Sequence, residues 1–454
     1  MDRVASLRRT FDEGLTRPLD WRREELRAMR RMLAEGEGEL MDALRHDLGK
    51  PAVEARLTDL SFVDAEIDVM LANLGRWARP ERVAVPAVQQ PGHATVVREP
   101  LGVALVISPW NYPVQLLLVP MAAAICAGNC VIGKPSEIAP RTSAAIARLA
   151  GRYLDGRAVA IVEGGVEETQ ALLAERFDTI FYTGNGRVGR IVMEAAAHHL
   201  TPVTLELGGK CPAIVDAEAD VTVAARRIAW GKFLNAGQTC VAPDYVLAHR
   251  SVEDELVEAL TRSLHDFYGE DPHRSEDYAR IVNERHFDRL SGLLAATSGT
   301  AAAGGQTDRG DRYIAPTVLT GVAPDDPVME DEIFGPILPV LVVDDVDDAA
   351  RFVRDRPKPL ALYVFSRNRD AVDRVLAGTT SGGVGVNCTV VHLAIPGLPF
   401  GGVGASGMGA YHGRHGFETF SHRRAVLSKP TVPDLPVQYP PYTKTKEWLL
   451  KKML

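Results

Sequence analysis

The chain has 454 residues, 46% hydrophobic and 24% charged, ordinary proportions for a soluble globular protein long enough to bury two substantial cores. A formal net charge of −8 removes any electrostatic reason to expect a nucleic acid or an anionic membrane as partner. Five dispersed cysteines, Cys126, Cys130, Cys211, Cys240 and Cys388, fit a reducing, cytoplasmic setting rather than a disulfide framework.

From residue 1 to about 78, apolar positions recur every three or four residues (Leu26, Met29, Met32, Leu33, then Leu40 and Leu44), which predicts helices without a chemical motif. The basic run Arg22 to Arg31, interleaved with Glu24 and Glu25, reads as a solvated and internally paired helix face. From Glu81 to Pro100, Val alternates with polar residues between Pro86, Pro91 and Gly92, which predicts an extended two-stranded arm. The N-terminus has no apolar signal core, and no apolar run reaches the roughly 18 to 20 residues of a membrane span, so none is expected.

Short apolar runs then follow at Val103 to Ile107, Cys130 to Gly133, Val159 to Val162, Thr179 to Tyr182 and Val203 to Leu207, with helix-like stretches between them. This is the pattern of a parallel, doubly wound α/β sheet, whose ligands bind at the carboxyl ends of the strands. Beyond Gly208 a second alternating set, including Val221 to Leu234, Tyr245 to Ala248 and Leu338 to Val343, predicts a second α/β domain. The last seventy or so residues carry a Gly-rich turn at Gly401 to Gly409 and a Pro-rich end at Pro433 to Pro441.

Four segments are candidates for chemistry. Thr183-Gly184-Asn185-Gly186-Arg187-Val188-Gly189 follows a strand and opens a helix; it is either a dinucleotide pyrophosphate site or a plain Gly-rich turn. Glu206 lies about twenty residues on, where the dinucleotide fingerprint places a ribose ligand. Cys240, in the loop Asn235 to Pro243, is placed as a nucleophile can be, whereas Cys126, Cys130 and Cys211 sit among apolar neighbours as core residues do. Asn111, in Ser108 to Pro113, is either an oxyanion donor or turn chemistry. Gly401 to Gly409 lacks the Gly-Lys-Ser/Thr of a P-loop, and His412 with His415 has no accompanying ligand set, so no metal is expected.

Together the segments resemble the aldehyde dehydrogenase superfamily over nearly the whole chain. The resemblance rests on Trp110-Asn111-Tyr112-Pro113, Gly133-Lys134-Pro135-Ser136-Glu137, Leu205 to Lys210, Gly237 to Ala242, Glu332-Ile333-Phe334-Gly335-Pro336 and Leu398-Pro399-Phe400-Gly401-Gly402, in that order. Trp230-Gly231-Lys232, Pro243-Asp244-Tyr245, Gly407 to Gly413 and Tyr439-Pro440-Pro441-Tyr442 look like the class 3 branch of shorter, usually dimeric members.

The resemblance implies Cys240 as nucleophile, Glu206 as general base rather than ribose ligand, and Asn111 as oxyanion donor. It places Lys134 and Glu137 beside the adenosine ribose of NAD or NADP, Gly184, Asn185, Gly186, Arg187, Val188 and Gly189 at the pyrophosphate, and Glu332 with Phe334 at the nicotinamide. It also implies oxidation of an aldehyde to the acid through a Cys240 thioester, in a homodimer. Residues 1–79 and 100–207 would form the dinucleotide-binding domain, 208–386 the catalytic domain, and 80–99 with about 387–454 an oligomerisation arm and C-terminal segment. Tyr112, Trp230, Val391, His392 and Leu398 are candidates for a channel taking apolar aliphatic or aromatic aldehydes, or else packing. Cys388 and Cys211 depart from the family pattern, which commonly has an acidic and a small polar residue there. The rival readings are an acylating enzyme that passes the thioester to coenzyme A, and a catalytically silent structural relative.

Overall fold

The computed structural model describes residues 2–434 and 436–453. Its strands, in chain order, are β1 (Glu81–Val83), β2 (His93–Pro100), β3 (Val103–Ile107), β4 (Cys130–Lys134), β5 (Val159–Ile161), β6 (Thr179–Thr183), β7 (Val203–Glu206), β8 (Pro212–Val215) and β9 (Tyr245–His249). They continue as β10 (Thr300–Ala303), β11 (Thr307–Asp308), β12 (Tyr313–Ile314), β13 (Thr317–Thr320), β14 (Ile337–Val343), β15 (Ala361–Phe365), β16 (Gly383–Val386), β17 (Gly407–Met408) and β18 (Ser421–Ser428).

The first sheet has the order β17-β7-β6-β3-β4-β5 and is parallel except for β17. Every residue of β3, β4 and β6 is buried, so both faces are covered and their near-continuous apolar sequence follows. From β3 the chain winds to β4 and β5 on one side and to β6 and β7 on the other. The crevice at the carboxyl ends of β3 and β6 is therefore a topological switch point. The helix between β3 and β4, Gln115–Ala127, is buried on every side and ends at Gly128, whose φ of +96° suits glycine. The second sheet, β10-β13-β14-β9-β8-β15-β16, is also parallel apart from the β10–β13 pair. Thus the expected α/β architecture, with a doubly wound first sheet and a second sheet after Gly208, is the one observed.

The arm differs from expectation in one respect. It has three strands, because β18 pairs with β2 from Ser421↔Pro100 to Ser428↔His93. β18 is mostly exposed and rich in Arg and His, so its pairing is set by tertiary context. Moreover, the chain beyond residue 387 is not confined to the arm. β17 adds an antiparallel edge to the first sheet, and Phe417 packs on Trp77 with ring centroids 5.7 Å apart.

The N-terminal residues form the helices Asp2–Asp12, Leu19–Glu35, Glu37–Leu48, Ala52–Ala55 and Phe62–Trp77, with a π-helical segment at Arg56–Ser61. Arg22 corrects the reading of its run as a solvated face: its guanidinium is buried and donates to the carbonyls of Thr16 (3.1 Å), Arg17 (2.9 Å) and Cys126 (3.2 Å). Arg30 pairs with Asp64 and Asp68 on another helix rather than within its own. Among the described residues, no helix is long and apolar enough to cross a membrane.

Asn129, fully buried before β4, ties three segments together. Its Oδ1 accepts from Gly102 N–H (2.9 Å), and its Nδ2 donates to the carbonyls of Ala124 (3.1 Å) and Phe420 (2.9 Å). Asn129→Ala leaves these buried groups unpaired and is expected to cost about 2–3 kcal/mol, read as a lower denaturant midpoint. An unchanged midpoint would contradict this role.

Candidate active site

The carboxyl edge of the first sheet meets the amino edge of the second. The turn after β3 carries Trp110 to Pro113, the turn after β6 carries Gly184, and β7 ends at Glu206. On the other side, Cys240 lies in the loop before β9, and Glu332 and Phe334 lie just before β14.

Hydrogen bonds lock the two edges together. Asn111 Nδ2 donates to the carbonyl of Gln238 (3.0 Å), Asn235 Nδ2 donates to the carbonyl of Asn111 (2.9 Å), and Tyr112 Oη lies 2.6 Å from Thr239 Oγ1. Gln238 is itself pinned: its Nε2 donates to the carbonyls of Asn235 and Arg280 (both 3.0 Å), and its Oε1 accepts from Val282 N–H (2.9 Å). This scaffold holds Asn235 and Ala236 at φ of +53° and +51°, a left-handed bend unusual for side-chain-bearing residues, just before Cys240.

Cys240 is half-buried, and burial is the main reason its thiol is pushed up to about 12; the nearby Glu332 and Glu206 carboxyls push the same way. Its own N–H and that of Val241 act in the opposite sense. Burial also holds Glu206 well above the usual carboxylate range. Glu206 is 1% exposed, and neither carboxyl oxygen has a hydrogen-bond partner among the described residues. A Cβ at Gly401 would lie 3.1 Å from its Oε1, so this glycine leaves the carboxyl room. Glu332 is raised to about 8 by burial and then by Asp244, opposed by Gly209 N–H, Lys210 and Lys232.

The cofactor candidates lie along the first sheet's carboxyl edge. Lys134 ends β4, is buried, donates to the carbonyl of Pro135 (2.7 Å) and faces Glu137 at 3.6 Å. Burial holds its ammonium below the ordinary lysine value, opposed by Glu137. Asn185 caps the helix Gly186–Ala197, its Oδ1 accepting from Val188 N–H (3.0 Å). A Cβ at Gly189 would come within 3.2 Å of Leu207, which keeps that helix close to β7. Phe334, at φ +49°, sets its ring edge-on to Trp110 with centroids 5.5 Å apart. Two hydroxyls without a partner among the described residues, Ser108 Oγ and Thr183 Oγ1, are buried at the ends of β3 and β6. A buried lysine, a capped helix N-terminus and unsatisfied hydroxyls along one crevice fit a dinucleotide's phosphates and ribose groups.

The structure thus gathers Asn111, Cys240, Glu206 and Glu332 at one junction, with the Gly184 turn beside Glu206: Gly184 N–H donates to the Glu206 carbonyl at 2.9 Å. Lys134 and Glu137 stand two strands away from that turn. Sequence reasoning missed Glu54, Lys50, Asp59, Asn235 and Lys232. Glu54 is raised to about 7 by burial and accepts from Asn235 N–H. Lys232 is fully buried, its Nζ without a hydrogen bond among the described residues and 3.8 Å from Asp244. Glu54, Lys50 and Asp59 belong to no motif, whereas Asn235 opens the Cys240 loop and Lys232 ends the segment Trp230-Gly231-Lys232 without either having been singled out. Of the departures, Cys211 is buried and directs its thiol at the Cys240 carbonyl (3.4 Å), and Cys388 lines a cavity of about 380 Å³ with Arg227, Trp230 and Val391.

The aldehyde dehydrogenase family matches residues 3–426. The chain is 50% identical over 428 residues to the rat aldehyde dehydrogenase, dimeric NADP-preferring, covering 94% of each. It is 49% identical over 445 residues to the mouse aldehyde dehydrogenase family 3 member A2, covering 98% of this chain and 92% of that one. The solved substrate-bound state of Staphylococcus aureus AldH superposes with a TM-score of 0.98 at 42% identity, covering 100% and 99% of the two chains. A Mycobacterium tuberculosis aldehyde dehydrogenase complexed with NAD+ gives a TM-score of 0.85 at 29% identity, covering 95% and 90%.

A thiol near 12 is protonated throughout the neutral range. Alkylation of Cys240 by iodoacetamide in the cofactor-free protein is therefore expected to rise about tenfold per pH unit from pH 6 to 9. A plateau below pH 8 would show a thiolate that burial does not suppress.

Proposed function

Because this chain belongs to the aldehyde dehydrogenase family and oxidises aldehydes with NAD or NADP, we propose that it works through a thioester on Cys240 that Glu206-activated water hydrolyses to the free acid. The observation that carries this reading is the meeting of a half-buried thiol, an amide donor and a buried carboxyl with two unpartnered oxygens.

Cys240 Sγ attacks the aldehyde carbon as its proton passes to solvent water. One N–H of Asn111 Nδ2 is spent on Gln238, and its second N–H is offered, with the Cys240 backbone N–H, to the new alkoxide. Dinucleotide bound in the crevice supplies the acceptor for the hydride that leaves as the adduct collapses. Lys134 and Glu137 serve its adenosine ribose, Gly184 to Gly189 its pyrophosphate, and Glu332 with Phe334 its nicotinamide end. Glu206, made more basic by burial, takes a proton from water, and the resulting nucleophile attacks the thioester. The same donors hold the second oxyanion, and its collapse releases the acid and Cys240.

Trp230 and Val391 give the cavity beside Cys388 an apolar lining, and His392 faces the Tyr363 ring at 6.0 Å, which supports apolar aliphatic or aromatic aldehydes. Tyr112 and Leu398 complete the channel in this reading. Glu206 favours hydrolysis over transfer to coenzyme A, and the assembled constellation favours an enzyme over a silent relative. The exposed arm, with Val83, Val426 and Leu427 on its surface, supports a homodimer, as in the dimeric rat relative. The two sheets support a cofactor domain at 1–79 and 100–207 and a catalytic domain at 208–386, with 80–99 and 387–454 supplying the arm and the C-terminal segment. The unpaired state of all five cysteines supports a cytoplasmic protein.

Cys240→Ala is expected to abolish oxidation while leaving dinucleotide binding intact; residual full turnover would overturn the mechanism. Glu206→Gln is expected to keep single-turnover NAD(P)H formation within about threefold while steady-state turnover falls about 100-fold or more. A large loss of cofactor affinity with normal turnover would restore the ribose reading. Initial rates on aliphatic and aromatic aldehydes, with NAD and NADP in turn, are expected to show apolar preference and use of both cofactors. Preference for small hydrophilic aldehydes would contradict the channel.

A further inference from the structure

The N-terminal helices carry no motif, yet they deliver a charged pair to the back of the active site. Lys50 and Asp59 are both fully buried in side chain and form a 2.7 Å ion pair. Lys50 follows Gly49, which ends a helix at φ +59°, and Asp59 sits in the π-helical segment Arg56–Ser61, a geometry often found where function requires it.

The buried Glu54 carboxyl lies within the pair's electrostatic reach, but the side-chain hydrogen bonds that the pair makes beyond itself fall on the turn that presents Asn111. Lys50 Nζ donates to the carbonyl of Asn111 (3.0 Å) as well as to Asp59 Oδ2, and it lies 4.0 Å from the centroid of the Tyr112 ring. The other oxygen, Asp59 Oδ1, faces the backbone N–H groups of Val114 (3.2 Å) and Gln115 (3.4 Å). One ion pair therefore grips both ends of the stretch 111–115, and Asn235 shares the Asn111 carbonyl with Lys50. Turning the Asn111 carbonyl away would forfeit a charge-assisted hydrogen bond in a dry interior while Lys50 stays tethered to Asp59, so the peptide plane, and the direction of the side chain on it, is held.

We propose that Lys50, held by Asp59, is a positioning residue for thioester formation: it orients Asn111 so that its free amide N–H meets the developing oxyanion. Lys50 itself touches no reacting atom; it acts through Asn111. The proposal rests on the reading of Asn111 as oxyanion donor and adds the device that aims it. Pre-organised donors of this kind contribute because they need no reorganisation when charge develops.

The test uses Lys50→Met/Asp59→Asn, which removes both charges together, so no single buried ion is stranded, and leaves an amide oxygen to accept from Val114 and Gln115. Two rates are measured in the full-length protein: single-turnover NAD(P)H formation with enzyme in excess over aldehyde, and alkylation of Cys240 by iodoacetamide, which generates no oxyanion. Both are repeated in an Asn111→Ala background. The expected result is a drop of about tenfold or more in the single-turnover rate, alkylation within about twofold of the parent, and no further drop when the pair is removed from Asn111→Ala. Parallel loss of alkylation, an unchanged single-turnover rate, or an equal drop in the Asn111→Ala background would overturn the proposal. Failure of the underlying reading shows separately, as a normal single-turnover rate in Asn111→Ala alone. Should the double variant fold poorly, Lys50→Gln/Asp59→Asn, which also removes both charges but keeps an amide donor near the Asn111 carbonyl and an amide oxygen for Val114 and Gln115, is put through the same two measurements. It is expected to show a smaller loss in the same direction, and a parent-like single-turnover rate would overturn the proposal.

Discussion

The contact on which the site depends is the hydrogen bond from Asn111 Nδ2 to the Gln238 carbonyl, with its companions Asn235 to Asn111 and Tyr112 to Thr239. It joins the turn after β3 to the loop that carries Cys240, and so couples two separate sheets at one site. Each partner is buried, so breaking the junction strands several polar groups at once. That cost fixes the distance between the Asn111 amide and the Cys240 thiol more firmly than either loop fixes itself. The left-handed pair Asn235 and Ala236 is tolerated because Gln238 and Glu54 hold the bend from both sides.

Burial also determines the electrostatics. Three acidic groups, Cys240, Glu206 and Glu332, share a poorly solvated space, and each is harder to ionise for the presence of the medium and, for Cys240, of the two carboxyls. Such a site resists accumulating negative charge at rest. In the proposed mechanism, hydrogen-bond donors such as the Asn111 amide offset the charge that the chemistry creates. A buried carboxyl without hydrogen-bond partners among the described residues is costly for folding, and the proposed role of Glu206 as proton acceptor gives that cost a reason.

Much of the fold was legible. β3, β4, β6 and β7 are apolar runs because both faces of a parallel sheet are covered, and their spacing by helices implied the topology. β18 was hidden because its sequence is polar and its partner β2 lies more than 300 residues away, and β17 because two residues carry no period. At the site, Asn111, Glu206, Cys240 and Glu332 stood out within motifs, although spacing alone made Glu206 a ribose ligand and only the family resemblance made it a base. Its burial against Gly401, near Cys240, is a tertiary fact that supports the second role. Lys50, Asp59 and Glu54 left no trace in the sequence. An isolated lysine and two carboxylates among helical charges look like surface residues until the π-helical turn and the Asn111 segment close around them.

The central claim is a covalent acyl group on Cys240 whose removal needs Glu206. It is tested most directly by intact-protein and peptide mass spectrometry of Glu206→Gln, acid-quenched after mixing with aldehyde and oxidised dinucleotide. The account predicts an added mass equal to the acyl group, carried by the peptide containing Cys240 and released by hydroxylamine. An unmodified chain that has nonetheless formed NAD(P)H, or an adduct on another residue, would contradict it.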